Sequence, residues 1–160
     1  MFLRWCKTAS AATLDDVKLQ SFLQQCCSPN VVFGDASGID ALMAQLRHYT
    51  RVLGNSKLQP QRIESMTPGI FAATASLEAT VTELTFSILP KERLPRIDDY
   101  HISIRERLLG QKICCSCKII FVFDDKNRVE RLDVSIDLVS SLFQILWDLD
   151  LVANLLATYR

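Results

Sequence analysis

The chain carries no excess charge of either sign: 18 Lys and Arg balance 18 Asp and Glu over 160 residues. That removes the electrostatic footprint expected of a domain that grips nucleic acid or an anionic membrane by itself. There is no long uninterrupted apolar run either. The opening stretch MFLRWCKTASAATLDD holds nothing of the length a secretory signal core requires. The most apolar stretch, Leu138 to Leu156, is interrupted by Asp148, Asp150 and Asn154, whereas a membrane span needs about 20 mostly uncharged residues. It reads as a buried or partner-facing helix. No internal repeat and no low-complexity tract is present. Six cysteines without a secretory signal read as thiols in a reducing compartment, so the protein is expected inside the cell. The C-x-x-C spacing at Cys114 and Cys117 has no second C-x-x-C or histidine pair to complete four ligands. No metal and no cofactor is expected.

What is present is a scaffold. At 160 residues and 49% hydrophobic content the chain makes one domain with a sizeable core. Its clearest stretch is Ile113 to Asp137, ICCSCKIIFVFDDKNRVERLDVSID. Ile113, Cys115, Cys117, Ile119, Phe121 and Phe123 alternate with mostly small or polar neighbours, the pattern of a strand with one buried face. Asp124 to Arg128 supplies a turn in which Asn127 accepts positive φ. Leu132, Val134 and Ile136 alternate on the return strand.

Upstream, Thr13 and Asp16 form a capping box for a helix bearing Leu14, Val17, Phe22 and Cys26, with Leu19 and Leu23 beside them. Ser28-Pro29-Asn30 stops it, and Val31 to Phe33 is a short strand. Ser37 to Asp40 reads as a second capping box. It opens a helix with Ile39, Leu42, Met43, Leu46, Tyr49 and Leu53 on one side, closed by Gly54-Asn55. Leu58 to Met66 is a strand that Pro60 restricts to an edge or a bent segment. After the turn Thr67-Pro68-Gly69, a long strand places Phe71, Ala73, Ala75, Leu77, Ala79 and Val81 on one face and ends at Pro90. The alanines leave room there, for a close helix or for a cavity. Lys91 to Arg107 is a charged surface excursion, loop or short helix. Asp137 caps a last helix over 138–157. Residues 1–12 are a loose segment before a single domain over 13–157. The fold class is α+β: two N-terminal helices on a curved antiparallel sheet, cone-like, with an additional C-terminal helix.

This order resembles the nuclear transport factor two-like fold, also called the polyketide-cyclase-like α+β cone. The resemblance rests on GIDALMAQLRHYTRVLG, TPGIFAATASLEATVTELTF and the closing hairpin. A narrower resemblance is carried by FLQQCCSPNVVFGDASGIDALMAQLRHY, TPGIFAATASLEATVTELTF and RLLGQKICCSCKIIFVFDDKNRVERLDVSIDLV. These strings are similar to the C-terminal domain attached to basic leucine zipper transcription factors of oomycetes. That resemblance implies a role in transcriptional regulation and a nuclear location; without it the cytoplasm is expected. No Lys/Arg-rich helix and no leucine heptad precedes Thr13, so direct DNA binding by this chain is not expected.

Candidate chemistry is sparse. Cys114 and Cys117, mid-strand, face opposite sides of the sheet, and Cys115 and Cys117 read as small core residues. His48 lies about 180° from the apolar stripe of its helix, at ~100° per residue, and His101 falls in the charged excursion. Glu83 continues the inner face after Val81, where an acid beside apolar walls can act as a base; Tyr49 would polarise a carbonyl beside it. The alternative for Glu83 is a surface pair with a basic side chain. Leu46, Tyr49, Phe71, Leu77, Phe121 and Phe123 are expected to line the interior and to hold a small apolar ligand. The C-terminal helix and the outer sheet face, with Ile120 and Val122, are expected to serve self-association or a protein partner. The preferred function is a non-enzymatic regulatory, dimerisation or ligand-binding module; the alternative is an isomerase, dehydratase or cyclase.

Overall fold

The computed structural model describes residues 16–87 and 100–157. The loose segment 1–12, the Thr13 cap and the first part of the charged excursion lie outside them. The order of elements is α1 (Asp16–Cys26), β1 (Cys27–Phe33), β2 (Ala36–Ser37), α2 (Ile39–Val52), β3 (Leu53–Thr67), β4 (Ile70–Val81), α3 (Glu83–Ser87), α4 (Tyr100–Leu108), β5 (Lys112–Phe123), β6 (Val129–Ile136), α5 (Leu138–Leu146) and α6 (Leu149–Leu156). The fold is α+β, with α1 and α2 packed on one curved, open sheet of order β2-β1-β6-β5-β4-β3. All neighbours are antiparallel except β1 and β6, which run parallel. Strand β1 starts at Cys27 and runs through Ser28-Pro29-Asn30, the stretch that reads as a helix stop in the sequence.

The centre of the sheet is the β4–β5 pair, in unbroken register from Ile70 against Val122 to Thr80 against Lys112. Its inner face carries Ala73, Ala75, Ala79, Cys115, Cys117 and Ile119, all buried. Alanines leave this part of the inner face low, and side chains of α1 and α2 reach down to it. Leu19, Phe22 and Leu23 of α1 and Leu42 and Met43 of α2 pack there, with Val31 and Leu132, as one core. A second core gathers Ala79, Val81, Ile113 and Cys115 under α4, α5 and α6, with Ile104, Leu108, Leu146, Leu151, Val152 and Leu155. Helix α4 is thus more than a solvated excursion: Ile104 and Leu108 seal one end of the domain. Val17, placed on the apolar stripe of α1 by spacing, instead points to solvent.

Several boundaries differ from the sequence reading for identifiable reasons. Helix α2 begins at Ile39 without the expected capping box: Gly38 precedes it at φ 93° and no side chain caps the start. Leu53 is already extended, so β3 starts before Leu58. Gly54 is needed there, since a Cβ would lie 2.6 Å from Thr82 Cγ2. Strand β3 is an edge strand, and Pro60 sits beside an irregularity of its register between Pro60 and Arg62. Strand β4 stops at Val81, well short of Pro90. The Thr85 hydroxyl accepts from the Thr82 N–H at 2.9 Å, half of a capping box, and donates to the Val52 carbonyl at 2.7 Å. The last helix is two helices. Trp147 adopts the left-handed region at φ 55°. Asp148 then caps α6, accepting from the Leu151 N–H at 3.1 Å, while Arg107 donates to the Leu146 carbonyl at 2.8 Å. The bend returns Leu151, Val152 and Leu155 to the core.

The hairpin turn and the α5 cap match expectation. Asp124 Oδ1 accepts from the Arg128 N–H at 2.8 Å and from the Lys126 N–H at 3.0 Å, with Asn127 at φ 56°. Asp137 accepts from the Ser140 N–H at 3.2 Å. Ser141, buried at 5% exposure, donates to the Cys114 carbonyl at 2.6 Å and seats α5 on β5. No helix among the described residues is long and apolar enough to cross a membrane.

Two measurements check this account. Leu132→Ala, fully buried in the first core, is expected to lower unfolding free energy by about 3 kcal/mol in urea titrations; a loss below about 1 would contradict its place. The Asp124 carboxyl is held below its ordinary value, chiefly by the Arg128 N–H bond. Its contribution is therefore complete above the unfolded carboxylate pKa, about 4, and is lost as pH falls through the lower folded value. The stability gap between the wild type and Asp124→Ala is expected to be widest near neutrality and to narrow in acid.

Candidate functional site

Between the two cores the inner face is not filled. Leu77 of β4 packs against both clusters and borders an apolar cavity of two lobes. The first lobe, about 180 Å³, is lined by Phe33, Leu46, Tyr49, Thr50, Leu53, Ser56, Leu58, Leu77, Cys117, Ile119, Leu132, Val134 and Ile136. The second, about 280 Å³, is lined by Tyr49, Val52, Leu53, Leu77, Val81, Thr85, Phe86, Leu108, Ile113, Val134, Ile136, Leu138, Leu142, Leu155 and Leu156. Tyr49, Leu53, Leu77, Val134 and Ile136 belong to both and form the waist. Tyr49, Val134 and Ile136 are 44%, 41% and 36% exposed, which puts the mouth at the waist.

The structure splits the six interior residues chosen from sequence. Leu46, Tyr49 and Leu77 border the cavity. Phe71, Phe121 and Phe123 border neither lobe; they gather toward the β3–β4 turn. Phe123 meets Phe71 edge-on at 5.6 Å and lies 6.4 Å from Phe121. Their alternation was right, but they stand too far along the strands from Leu77. Val134 and Ile136 carried the same inward signal on β6. The walls from α5 and α6 were hidden by the unrecognised bend at Trp147, although an aspartate before an apolar run is a readable helix start.

Glu83 does not continue the inner face. With β4 finished at Val81, it opens α3 on the surface and pairs with Arg105. Arg105 also lies over the Phe86 ring at 5.4 Å. Both side chains are more than half exposed, so the pair adds at most about 1 kcal/mol. Glu83 thus lies against a basic side chain, and Tyr49 has no acid beside it in either lining among the described residues. His48 is exposed on α2 beside the Tyr49 ring; the side chain of His101 is outside the described set. No carboxylate, imidazole or ammonium group lines either lobe among the described residues.

The cysteines follow the pleat. Cys114 is exposed on the outer face, its sulfur 3.1 Å from Ser76 Oγ, while Cys115 and Cys117 are buried. Burial pushes the Cys27 thiol up to about 12, with Cys26 adding to it. Burial also raises Cys115, opposed in part by the Ser141 hydrogen bond. A thiol held neutral is a poor nucleophile. Iodoacetamide at about pH 8 is therefore expected to modify Cys114 in the native protein and to spare Cys27 and Cys115 until denaturant is added. Peptide mapping reads the pattern, and equal labelling of Cys115 and Cys114 would contradict it.

On the outer face Arg131 pairs with Asp133 at 3.1 Å, both well exposed, an ordinary solvated ladder. A different surface is less ordinary. Val139, Trp147 and Leu149 of the α5–α6 elbow are 49%, 75% and 60% exposed, and Phe143 lies 6.0 Å from Trp147.

Comparison with known proteins bears on the fold and on one segment. The family model for the BZIP transcription factor 1 C-terminal domain matches residues 2–52. The comparison with curated proteins found no match. Among solved structures, TsrD from Streptomyces laurentii is similar with a TM-score of 0.60 at 12% identity, over 91% of this chain and 90% of that one. A SnoaL-like polyketide cyclase from Agrobacterium tumefaciens is similar with a TM-score of 0.59 at 10% identity, over 89% and 92%. An NTF2-like protein of unknown function from Exiguobacterium gives 0.58 at 12% identity, over 85% and 97%. The chain has the nuclear transport factor two-like α+β cone fold, and over residues 2–52 it resembles the BZIP transcription factor 1 C-terminal domain.

Proposed function

We propose that the protein is a non-enzymatic regulatory module that binds a small apolar ligand in the two-lobed cavity and meets a protein partner, or a second copy, through the α5–α6 elbow. One observation carries the first half. A cavity of this size and apolarity suits a small molecule, yet among the described residues no carboxylate, imidazole or ammonium group lines it. General acid–base catalysis needs such a group within hydrogen-bond reach of the reacting atom. The elbow supports the second half: a bulky, exposed Trp147 in a left-handed conformation is a local cost on an exposed apolar stripe. The resemblance over residues 2–52 supports a setting in transcriptional regulation, hence a nuclear one.

A second reading, a cyclase or isomerase, is favoured by the fold neighbour described as a polyketide cyclase. It would assign Tyr49 to a substrate carbonyl and Glu83 to proton transfer, which the surface pairing of Glu83 with Arg105 opposes. Incubation with a library of hydrophobic carbonyl compounds separates the two. The module is expected to bind members without turnover, equally in Glu83→Gln; turnover abolished by Glu83→Gln would establish the enzyme. Sedimentation velocity at micromolar concentration tests association. A dimer dispersed by Trp147→Ser is expected, and a strict monomer in both proteins would remove the second copy as occupant.

A further inference from the structure

We propose that the ligand is a neutral amphiphile: an apolar chain ending in one hydroxyl or carbonyl, its head in the Tyr49–Ser56 lobe and its tail beneath α5 and α6. The proposal rests on the ligand-binding reading above and names the ligand's class and orientation. Charge is excluded first. No charged side chain borders either lobe among the described residues, and an ion moved into an apolar site without a partner bears a large desolvation penalty.

Polarity is then distributed unequally. The smaller lobe has three hydroxyl-bearing residues in its lining, Tyr49, Thr50 and Ser56. Thr50 gives its proton to the Arg47 carbonyl at 3.0 Å and keeps only acceptor capacity. Among the described residues, neither the Tyr49 nor the Ser56 hydroxyl has a hydrogen-bond partner within the protein. Each can both donate and accept, which suits a ligand hydroxyl or carbonyl. In the larger lobe, apart from the shared Tyr49, the only side-chain hydroxyl among the described lining residues is that of Thr85. It is committed on both sides, donating to the Val52 carbonyl at 2.7 Å and accepting from the Thr82 N–H at 2.9 Å. The rest of that wall is aliphatic or aromatic, so it rewards a chain and offers nothing to a second polar group. The five shared lining residues place the lobes side by side, and one elongated molecule is proposed to occupy both. The two volumes together fall in the range of small-molecule sites.

The test is displacement of the neutral dye N-phenyl-1-naphthylamine from the full chain at about pH 8, using matched ten-carbon probes. 1-Decanol and 2-decanone are expected to displace it at least about tenfold more effectively than decanoate or decylammonium. In Tyr49→Phe/Ser56→Ala the affinity for decanol is expected to fall about fivefold more than that for decane, and Leu77→Trp, at the waist, is expected to abolish binding of every probe. Decanoate binding as tightly as decanol, or decanol and decane weakening in parallel, overturns the neutral, head-first class and leaves the ligand-binding reading standing. If no probe binds the wild type, or if a Leu77→Trp protein with unchanged circular dichroism binds them all, both fall together.

Discussion

The structure depends on the pairing of β4 with β5. Every other element is hung from it: β3 on one side, β6 on the other, two helices and a second core on its inner face. The register runs without a slip from Ile70 to Thr80, whereas β3–β4, β5–β6 and β1–β6 each carry an irregularity. A one-residue slip would carry Ala73, Ala75, Leu77 and Ala79 to the wet face. The sheet can curve because its bulges lie away from this central pair. Its edges are modest: β2 has two residues, and β3 carries Pro60, Lys57 and Arg62, all features that discourage pairing with another chain.

That constraint also explains why there is a cavity. Alanine and cysteine dominate the middle of the inner face, and a face so low can be filled only by what lies over it. Helices α1 and α2 fill one half, and α4, α5 and α6 fill the other. At the seam Leu77 is the largest β4 side chain between them, and it reaches both cores without closing the gap. On the side of the larger lobe, polar groups of the β4–α3 junction are used elsewhere. Thr82 and Thr85 spend their hydroxyls on the Val52 carbonyl at the end of α2, and Glu83 turns outward to Arg105.

Much of this was legible in the sequence, and the failures share a cause. Period-2 alternation identified β4, β5 and β6 and their inner faces, and turn chemistry identified Asn127 and Gly69, both with positive φ in the structure. These signals are local and redundant. What escaped were terminations set by partners distant in sequence. Strand β4 makes its last pairing at Val81, whose N–H donates to the Gln111 carbonyl and whose carbonyl accepts from Gly110, both at 2.9 Å; the next residues turn away where the Thr85 hydroxyl takes the Thr82 N–H, although they still alternate in sequence. Helix 138–157 breaks where Arg107 meets the Leu146 carbonyl. Those two errors misplaced Glu83 and hid half of the cavity wall. The parallel β1–β6 pair was invisible for the same reason, since neither strand records its neighbour.

The elbow at Trp147 joins the two features on which the proposed function rests. On its inner side Leu138, Leu142, Leu155 and Leu156 wall the larger lobe. On its outer side Val139, Trp147 and Leu149 meet solvent. Both sets stand on the same two short helices, fixed at one end by Asp137 and Ser141 and at the bend by Asp148 and Arg107. Under the proposed function, a ligand in the larger lobe and a partner at Trp147 would meet opposite sides of the same two helices. The bend between them comes from hydrogen bonds made by two ionic side chains, Asp148 and Arg107, that do not touch the cavity.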